Sequence, residues 1–362
     1  MSRLTDVVLQ FDLAGQIDSI KPLGNGLIND TYKVETVGGP SYVLQRINHN
    51  IFKDVELLQN NIVSVTSHIR GKLEAAGASD VDRKVLTFIP LKNSDQTYYF
   101  DGESYWRVSL FIEDAFTYET VDPEYSYYAG RSFGHFEAML ADIPDTLGET
   151  IPDFHNMELR ARQLDEAVAA DSVGRMAEEE VQEILKEILI HRDEMCKAER
   201  MHREGILPKR ICHCDTKVNN MMFDQQDNVL CVIDLDTVMP NFIFSDYGDF
   251  LRTGANKVAE DFQDMDAVCF DVDIFKAFTE GYLASASSFL TRVEIENLPY
   301  AVKLFPYMQC VRFLWDYLSG DKYWKCQYAN HNFVRANNQL HLLFSIEKHE
   351  PEMEAFIADC LK

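Results

Sequence analysis

The chain has little positive charge, and this shortage narrows its possible partners. Its 362 residues contain 34 Lys and Arg against 59 Asp and Glu, which gives a formal net charge of −25. Affinity for nucleic acid comes mainly from clustered basic side chains that neutralise the phosphate backbone. We therefore expect no nucleic-acid partner, and any anionic ligand has to be held locally by a metal ion and a few cations.

Long apolar runs are also missing. No stretch approaches the ~18 consecutive apolar residues that suggest a membrane span, although hydrophobic residues make up 46% of the chain. The first residues, Met1 to Asp6, lack the basic and then apolar pattern of a secretion signal. The sequence predicts a cytoplasmic protein without membrane association, long enough for two packed units at ~150 residues per domain.

The eight cysteines are scattered along the chain and do not show the dense spacing of a secreted disulfide scaffold. Reduced thiols are expected. Cys212, His213 and Cys214 stand together and raise the question of zinc. Their alternate spacing on a strand end points the two sulfurs away from His213, and no C-x-x-C pair supplies further ligands. We therefore do not expect a zinc site.

Alternating patterns and turn residues characterise the first third of the chain. Residues 18–47 predict three antiparallel strands, punctuated by Gly24–Asn25–Gly26 and by Gly38–Gly39–Pro40. Helical spacing of apolar residues follows over 54–73. Two more strand-like runs are then predicted, over 84–89 and 104–112.

From about residue 122 onward the pattern becomes mainly helical, interrupted by short strands near the polar motif described below. We predict an α+β, two-lobed fold of the protein-kinase type. An antiparallel β-sheet lobe with one helix, over residues 1–112, would bind a nucleotide. A larger, mainly helical lobe over residues 113–362 would carry the catalytic loop and the pocket for the second substrate.

One polar motif carries the chemistry. His213, Asp215 and Asn220 follow the spacing H-x-D-x-x-x-x-N of a kinase catalytic loop, and Asp234 lies shortly after them. Phosphoryl transfer needs a base near the attacking hydroxyl and hard oxygen ligands for Mg²⁺. The pattern predicts that Asp215 handles the acceptor hydroxyl and that Asn220 and Asp234 bind Mg²⁺. Lys217 is placed to neutralise charge on the transferred phosphate.

The nucleotide site is predicted in the sheet lobe. Gly24–Asn25–Gly26 would let the backbone approach the phosphates of ATP closely. The third strand offers Gln45 or Arg46 where protein kinases have a lysine. Successive strand residues face opposite sides, so only one of the two can face the phosphates. Arg46 is preferred because a guanidinium pairs with two phosphate oxygens at once. The hinge is expected around Phe111 to Glu113, which makes Glu113 a nucleotide-site residue.

Several acids are predicted to support the site. Glu56 could orient the phosphate-binding cation or lie on the solvated face of its helix. Asp246 and Asp249 would brace the catalytic loop through buried hydrogen bonds. Asp236 could bind the metal ion or cap the following turn. His213 is expected to tie the loop to neighbouring backbone rather than to act as a base.

A family resemblance rests on sequence segments that are spread over nearly the whole chain and occur in the same order as in the family. They include residues 42–48, 106–108, 213–220, 233–237, 246–249 with Arg252, and 312–314. In these segments the chain resembles the aminoglycoside phosphotransferase and choline kinase superfamily, whose kinase-like members phosphorylate small molecules. Within it, the chain is most similar to N-acetylhexosamine 1-kinases.

The resemblance implies a sugar kinase that transfers the γ-phosphate of ATP, with Mg²⁺, to the anomeric hydroxyl of an N-acetylhexosamine. It implies sugar contacts at Arg312, Tyr317 and His331, although the apolar run 313–315 also predicts a core-facing helix there. Hexosamine kinases tend to carry histidine where this chain has Leu27. Two alternatives stay open: a kinase of a choline-like or aminoglycoside amine alcohol, and a catalytically silent nucleotide-binding regulator.

Overall fold

The structure is a computed structural model that describes residues 3–24, 28–119 and 121–362. Its contacts divide the chain into two compact units. Unit 1 comprises Met1–Tyr118, Met139–Pro152 and Asn219–Met239, and unit 2 comprises Glu119–Ala138, Asp153–Val218 and Pro240–Lys362. The predicted lobes follow a single division at residue 112, whereas unit 1 also takes two segments from later in the chain.

The strands are β1 (Gln16–Pro22), β2 (Asp30–Val37), β3 (Tyr42–Ile47), β4 (Tyr98–Phe100), β5 (Tyr105–Leu110), β6 (Arg210–Cys212), β7 (Met221–Phe223), β8 (Val229–Val232) and β9 (Met239–Asn241). Among the described residues of unit 1, the first five form an antiparallel sheet in the order β1-β2-β3-β5-β4. A separate antiparallel hairpin joins β7 to β8.

The helices of unit 1 are α1 (Arg3–Val8), α2 (Val55–Ala75) and α3 (Val81–Lys84). Helix α1 packs on one face of the sheet, where Val7 and Val8 meet the buried strand residues Leu44 and Val108. Alternation along β3 and β5 places these apolar side chains on one side. That face of the sheet is therefore closed by core packing.

Helix α2 confirms the helix that apolar spacing predicted. Asp54 caps it by accepting a 2.9 Å hydrogen bond from the amide of Leu57. Its buried positions include Val55, Leu58 and Ile62, which recur at the spacing of one helix face. Glu56 lies on the exposed side.

The strand predicted over 84–89 is wrong. Lys84 ends the short helix α3, and the segment after it does not form a named strand. Its backbone instead makes isolated ladder contacts with β5, where the amide of Ile89 donates to the carbonyl of Val108 at 2.8 Å. The strand partner of β5 on this edge is β4, which pairs with Tyr105–Arg107 and which the alternation pattern did not reveal.

The helices that lie wholly or mainly in unit 2 are α4 (Pro123–Leu140), α5 (Met157–Ala170), α6 (Glu179–Met195), α7 (Lys197–Arg203), α8 (Phe244–Gly254), α9 (Val272–Ala286), α10 (Arg292–Glu296), α11 (Leu298–Ser319), α12 (His331–Glu347) and α13 (Glu350–Cys360). Helix α11 is buried along most of its length and packs against α5, α6, α8 and α12. In the described part of the chain, no helix combines the length and apolar character needed to cross a membrane.

Helices α4 and α9 cross in backbone contact. A Cβ atom at Gly130 of α4 would overlap the carbonyl oxygen of Phe278, and one at Gly281 of α9 would overlap the carbonyl oxygen of Tyr127. Glycine at both positions therefore permits the close approach. The crossing brings the hydroxyl of Tyr282 to the carboxyl group of Glu137, at 2.5 Å.

Candidate active site

The predicted catalytic loop follows β6 in unit 2 and is fixed by one buried carboxylate. Asp246, in the first turn of α8, is fully buried. One of its oxygens accepts from the amide of His213 at 2.7 Å and the other from the amide of Cys214 at 2.6 Å. Thr216 also donates to the backbone carbonyl of Asp246, at 2.8 Å. This is the bracing contact predicted for Asp246.

His213 has a structural environment. Its ring is fully buried and meets the rings of Phe133 and Phe136 edge-on, at centroid distances of 5.4 and 6.0 Å. Its Nδ1 atom lies 3.3 Å from the amide nitrogen of Asp215 and accepts that hydrogen bond. The histidine thus fixes the backbone of the residue predicted to act on the acceptor hydroxyl.

Asp215 and Lys217 lie together at the surface of the loop. The lysine Nζ atom is 2.8 Å from the Asp215 carboxylate, and 43% of the lysine side chain is exposed. A carboxylate and an ammonium group are therefore presented side by side. This arrangement suits a reaction in which a hydroxyl is aligned while negative charge moves to a phosphate.

Asp249 lies close behind this pair. Burial raises the pKa of Asp249, the charge of Arg252 opposes that rise, and the charge of Asp215 adds to it. Arg252 donates to Asp249 at 3.1 Å and to Glu260 at 2.6 Å. These contacts hold the Asp249 carboxylate in place through a buried arginine.

Arg312 of α11 is a partly buried cation within electrostatic reach of Asp249. Burial lowers the pKa of Arg312 to about 10, and the charge of Arg160 contributes to the same shift. Its Nη1 atom donates to Gln309 at 2.8 Å. Anywhere in the described part of the chain, no carboxylate forms an ion pair with it.

Two aromatic rings lie beside the Arg312 guanidinium. Its Cζ atom lies 5.9 Å from the ring centre of Phe154 and 5.2 Å from that of Trp324. Aromatic faces attract a guanidinium but do not satisfy its N–H donors. The cation therefore keeps hydrogen-bonding capacity for a ligand that carries oxygen acceptors.

The loop that holds Trp324 is organised by Asp316, which sequence reasoning did not single out. Its fully buried carboxylate accepts from the amides of Lys322, Tyr323 and Trp324 at 2.9, 2.9 and 3.1 Å. Asn332 donates to the same group at 2.8 Å. An acidic residue within the mainly apolar helix α11 is the signal that could have marked it.

Tyr317 and His331, predicted to contact a sugar, have protein partners. The hydroxyl of Tyr317 donates to Glu178 at 2.8 Å, and the guanidinium of Arg175 lies 3.9 Å from its ring centre. His331 is fully buried, accepts from the amide of Gln327 at 3.1 Å and has its Nε2 atom 3.3 Å from Asp261. Their role in substrate binding stays a prediction.

Asn220 and Asp234 occupy the same end of the β7–β8 hairpin in unit 1. The carbonyl of Asn220 accepts from the amide of Ile233 at 2.9 Å, so the residues flanking the two strands are held together. Asp234 has a positive φ of 59°. An amide oxygen and a carboxylate are ligands that Mg²⁺ prefers, so this pair fits the predicted ion.

Asp236, two residues beyond Asp234, is occupied by protein donors. Arg107 donates to its Oδ1 atom at 2.5 Å, and Asn29 donates to its Oδ2 atom at 2.6 Å. The side chains of Arg107 and Asp236 are only 3% and 5% exposed. Both oxygens of Asp236 already accept hydrogen bonds from protein donors. The metal-ligand role predicted for Asp236 stays a prediction.

The sheet register settles which face Gln45 occupies. Gln45 is directly opposite Arg107 on the neighbouring strand, and the Nε atom of Arg107 donates to the amide oxygen of Gln45 at 2.9 Å. Arg46 points to the other side, where it is half-exposed and pairs with Asp30. Sequence analysis did not single out Arg107 or Asn29, the two residues that donate to Asp236. A charged residue in the apolar strand β5 was the available signal for Arg107.

The other predicted nucleotide-site residues have the following positions. Gly24 has a positive φ of 68°, a conformation that favours glycine, while Asn25 and Gly26, like Leu27, lie outside the described residues. The side chain of Glu113 is about half exposed and lies 3.3 Å from the Nζ atom of Lys33. The nucleotide contact predicted for Glu113 stays a prediction.

Comparison with known proteins shows which family the chain belongs to. The model of the phosphotransferase enzyme family matches residues 88–273, just over half of the chain.

Solved structures share the fold over nearly the whole chain. An aminoglycoside phosphotransferase from Alicyclobacillus acidocaldarius subsp. acidocaldarius DSM 446 is 15% identical, with 96% of each chain covered and a TM-score of 0.57. An ethanolamine kinase from Plasmodium vivax is 15% identical over 89% of this chain and 82% of that chain, with a TM-score of 0.51. An amicoumacin kinase in complex with AMP-PNP, Ca²⁺ and Ami is 12% identical over 94% and 92%, with a TM-score of 0.60. These likenesses confirm the predicted kinase-like α+β fold class.

Proposed function

Because the chain belongs to the phosphotransferase enzyme family, we propose that it transfers the γ-phosphate of ATP to the anomeric hydroxyl of an N-acetylhexosamine. The product is the sugar 1-phosphate. The phosphotransferase activity follows from the family. The identity of the acceptor is the part that needs an argument from the site.

The roles of the loop residues follow from their chemistry. Asp215 aligns the sugar hydroxyl and takes its proton as the bond to phosphorus forms. Lys217, 2.8 Å from that carboxylate, offsets negative charge on the phosphate that is transferred. Asn220 and Asp234 would hold Mg²⁺, which neutralises phosphate charge when bound.

The acceptor assignment rests on Arg312. This partly buried guanidinium forms no ion pair with a carboxylate in the described residues, and burial together with the charge of Arg160 lowers its pKa to about 10. It still titrates far above neutral pH and therefore carries a positive charge. A cationic acceptor such as choline or an aminoglycoside would meet repulsion from this guanidinium, because like charges placed close together disfavour each other.

A neutral sugar suits the same environment. The ring hydroxyls and the acetamido carbonyl of an N-acetylhexosamine are oxygen acceptors for the N–H donors of Arg312. The aromatic rings of Phe154 and Trp324, 5.9 and 5.2 Å from the guanidinium, provide the apolar surface that small-molecule sites combine with a few polar groups. A neutral acceptor rich in oxygen is favoured over an amine.

An acceptor panel tests the proposal. ADP release is measured with GlcNAc, GalNAc, choline and kanamycin as acceptors, and NMR identifies the phosphorylated position. We expect product from a hexosamine, with the phosphate on the anomeric carbon. Turnover of choline or kanamycin without hexosamine turnover would contradict the acceptor while keeping the phosphotransferase. MgATP binding without product from any acceptor would favour a silent regulator.

A substitution tests the observation that carries the acceptor assignment. Arg312→Gln should lower kcat/KM for the hexosamine about 10- to 100-fold, the loss expected when a charged donor to a bound ligand is removed. The KM for ATP should stay close to that of the wild type. Arg292→Gln is the matched control, since that arginine lies in the same unit with 89% of its side chain exposed. Equal effects of the two substitutions would remove the basis for the sugar.

A further inference from the structure

Unit 1 pairs a cation on its sheet with an acid that follows β8, and neither residue is the one predicted to form the phosphate-binding pair. Arg46, the predicted cation, lies on the opposite side from Gln45 and pairs with Asp30 near the surface. Glu56, the predicted acid, is exposed on α2. Gln45, the other candidate for the position of the protein-kinase lysine, has no charge of its own. A charge for the phosphates has to come from elsewhere on this face.

Arg107 is the charged group on the face that Gln45 occupies. The two residues are directly paired in the antiparallel ladder between β3 and β5, so their side chains leave the sheet on the same side. The contact between the Arg107 Nε atom and the Gln45 amide oxygen, at 2.9 Å, confirms this placement. Only one strand separates Arg107 from β2, the strand that follows the glycine turn.

Asp236 links this arginine to both segments that are expected to hold phosphates. Asn29, which follows the glycine turn, donates to one carboxylate oxygen of Asp236 at 2.6 Å. Asp234, the predicted Mg²⁺ ligand, lies two residues before Asp236 in the chain. Arg107 donates to the other carboxylate oxygen at 2.5 Å. The Asp236 carboxylate therefore joins Arg107 to Asn29 and to the segment that is predicted to bind the metal ion.

We propose that Arg107 is the cation that the sheet presents to the phosphates of the nucleotide, and that Asp236 is the acid that positions it. The inference rests on the proposed function, because it takes ATP as the phosphate donor. The pair Arg107–Asp236 replaces the strand lysine and helical acid of protein kinases. Arginine suits the position, since its planar fork contacts two phosphate oxygens at once.

The contacts of Arg107 fix its orientation before a nucleotide arrives. Asp236 holds Nη1 and Gln45 holds Nε, so two sides of the guanidinium fork are already set. Asn29 and Arg107 together satisfy both oxygens of Asp236, so the carboxylate cannot turn away freely. A preorganised donor loses little conformational freedom when phosphate binds. This arrangement suits the binding of nucleotide phosphates.

A purely structural ion pair is the competing explanation, and equilibrium binding separates the two. Removal of Arg107 alone would leave Asp236 as a buried, unpaired charge and could unfold the sheet. We therefore combine Arg107→Met with Asp236→Asn, which removes both charges together. Arg107→Lys is the second variant, because it keeps the charge but loses the fork. Calorimetric titrations with MgATP and with adenosine provide the measurement.

We expect the double variant to bind MgATP about 10- to 100-fold more weakly than the wild type, as for loss of charge-assisted hydrogen bonds. Its affinity for adenosine should stay within about twofold, because that ligand has no phosphates for Arg107 to contact. The affinity of Arg107→Lys for MgATP should fall between that of the wild type and that of the double variant. Lys21→Gln, an exposed position on β1, serves as the neutral control.

Three outcomes would overturn the inference. Wild-type MgATP affinity in a folded double variant would make the pair purely structural. An equal loss for adenosine and MgATP would point to general damage of the site. A larger loss of MgATP affinity in Arg46→Gln than in the Arg107 variants would return the role to Arg46. Each of these leaves the proposed phosphotransferase intact, whereas failure of the wild type to bind MgATP would overturn both.

Discussion

Replacement of Glu137 by glutamine should leave the protein folded and change how its stability depends on pH. The carboxyl oxygens of Glu137 and Asp246 lie within 4.8 Å of each other, together with the sulfur of Cys212, and all three residues are buried. Burial raises the pKa of Glu137 well above its ordinary value, and the charge of Asp246 raises it further. We infer that Glu137 is protonated at neutral pH.

The hydrogen bonds show which of the two acids keeps the proton. Burial raises the pKa of Asp246 as well, but both of its oxygens accept from backbone amides of the predicted catalytic loop, and these hydrogen bonds oppose that rise by stabilising the ionised form. Glu137 accepts from Tyr282 through Oε2, and its buried Oε1 atom has no donor within the described residues. A protonated Glu137 can donate to Asp246. Glutamine preserves that arrangement, since its amide both accepts and donates.

The magnitude follows from proton linkage. The folded protein keeps a proton that the unfolded chain loses above about pH 4.3. The contribution of Glu137 to stability is therefore fully present below that pH and is lost as pH rises through its folded-state pKa. Between the unfolded-state pKa and the folded-state pKa of Glu137, this residue lowers the free energy of unfolding by ~1.4 kcal/mol for each unit by which the pH rises. Glu137→Gln removes this slope.

Urea denaturation of the wild type and Glu137→Gln between about pH 5 and pH 8 measures the effect. We expect the wild type to lose stability relative to the variant by ~1.4 kcal/mol for each pH unit until the folded-state pKa is passed. Glu137→Ala, which removes the donor to a charged group, should cost ~2–3 kcal/mol at neutral pH. Parallel slopes for the wild type and Glu137→Gln would refute the protonated state.

Three further predictions address the site. Asp215→Asn should lower kcat by at least ~100-fold with unchanged MgATP affinity, since a positioned base contributes that much; near wild-type turnover would contradict its role. Asp234→Ala should weaken ATP binding about tenfold or more in the presence of Mg²⁺ and little in its absence, because a carboxylate ligand is lost; a loss independent of Mg²⁺, measured by calorimetry, would count against the metal role. Asp316→Asn should raise the acceptor KM about tenfold through weaker amide contacts, with the KM for ATP unchanged; a parallel rise in both KM values would indicate general damage instead.

The sequence predicted the parts of the site that are local in the chain. The spacing from His213 to Asn220 marks the loop that we predict to be catalytic, and a buried carboxylate in α8 braces that loop as expected for Asp246. Such motifs are readable because their residues act within one or two turns of backbone. The helix that begins after Asp54 was equally predictable from its cap and its apolar spacing.

The contacts that join distant segments were not predictable. Arg107 and Asp236 are 129 positions apart, and pairing them requires the strand register and the path of the chain after β8. Alternation showed that Gln45 and Arg46 face opposite sides, but not which side α1 covers. Glu137 also gave no signal, since its meaning depends on the crossing of α4 with α9.

That crossing limits how segments can be exchanged among relatives. The obstacle to a side chain at Gly130 or Gly281 is backbone carbonyl oxygen on the facing helix, so no change of side chain there can make room. A chimera that imports only α4 or only α9 from a relative with a wider spacing would force the two helices apart. It would separate Tyr282 from Glu137 at the same time. Recombination designs should therefore move residues 123–140 and 272–286 as one block.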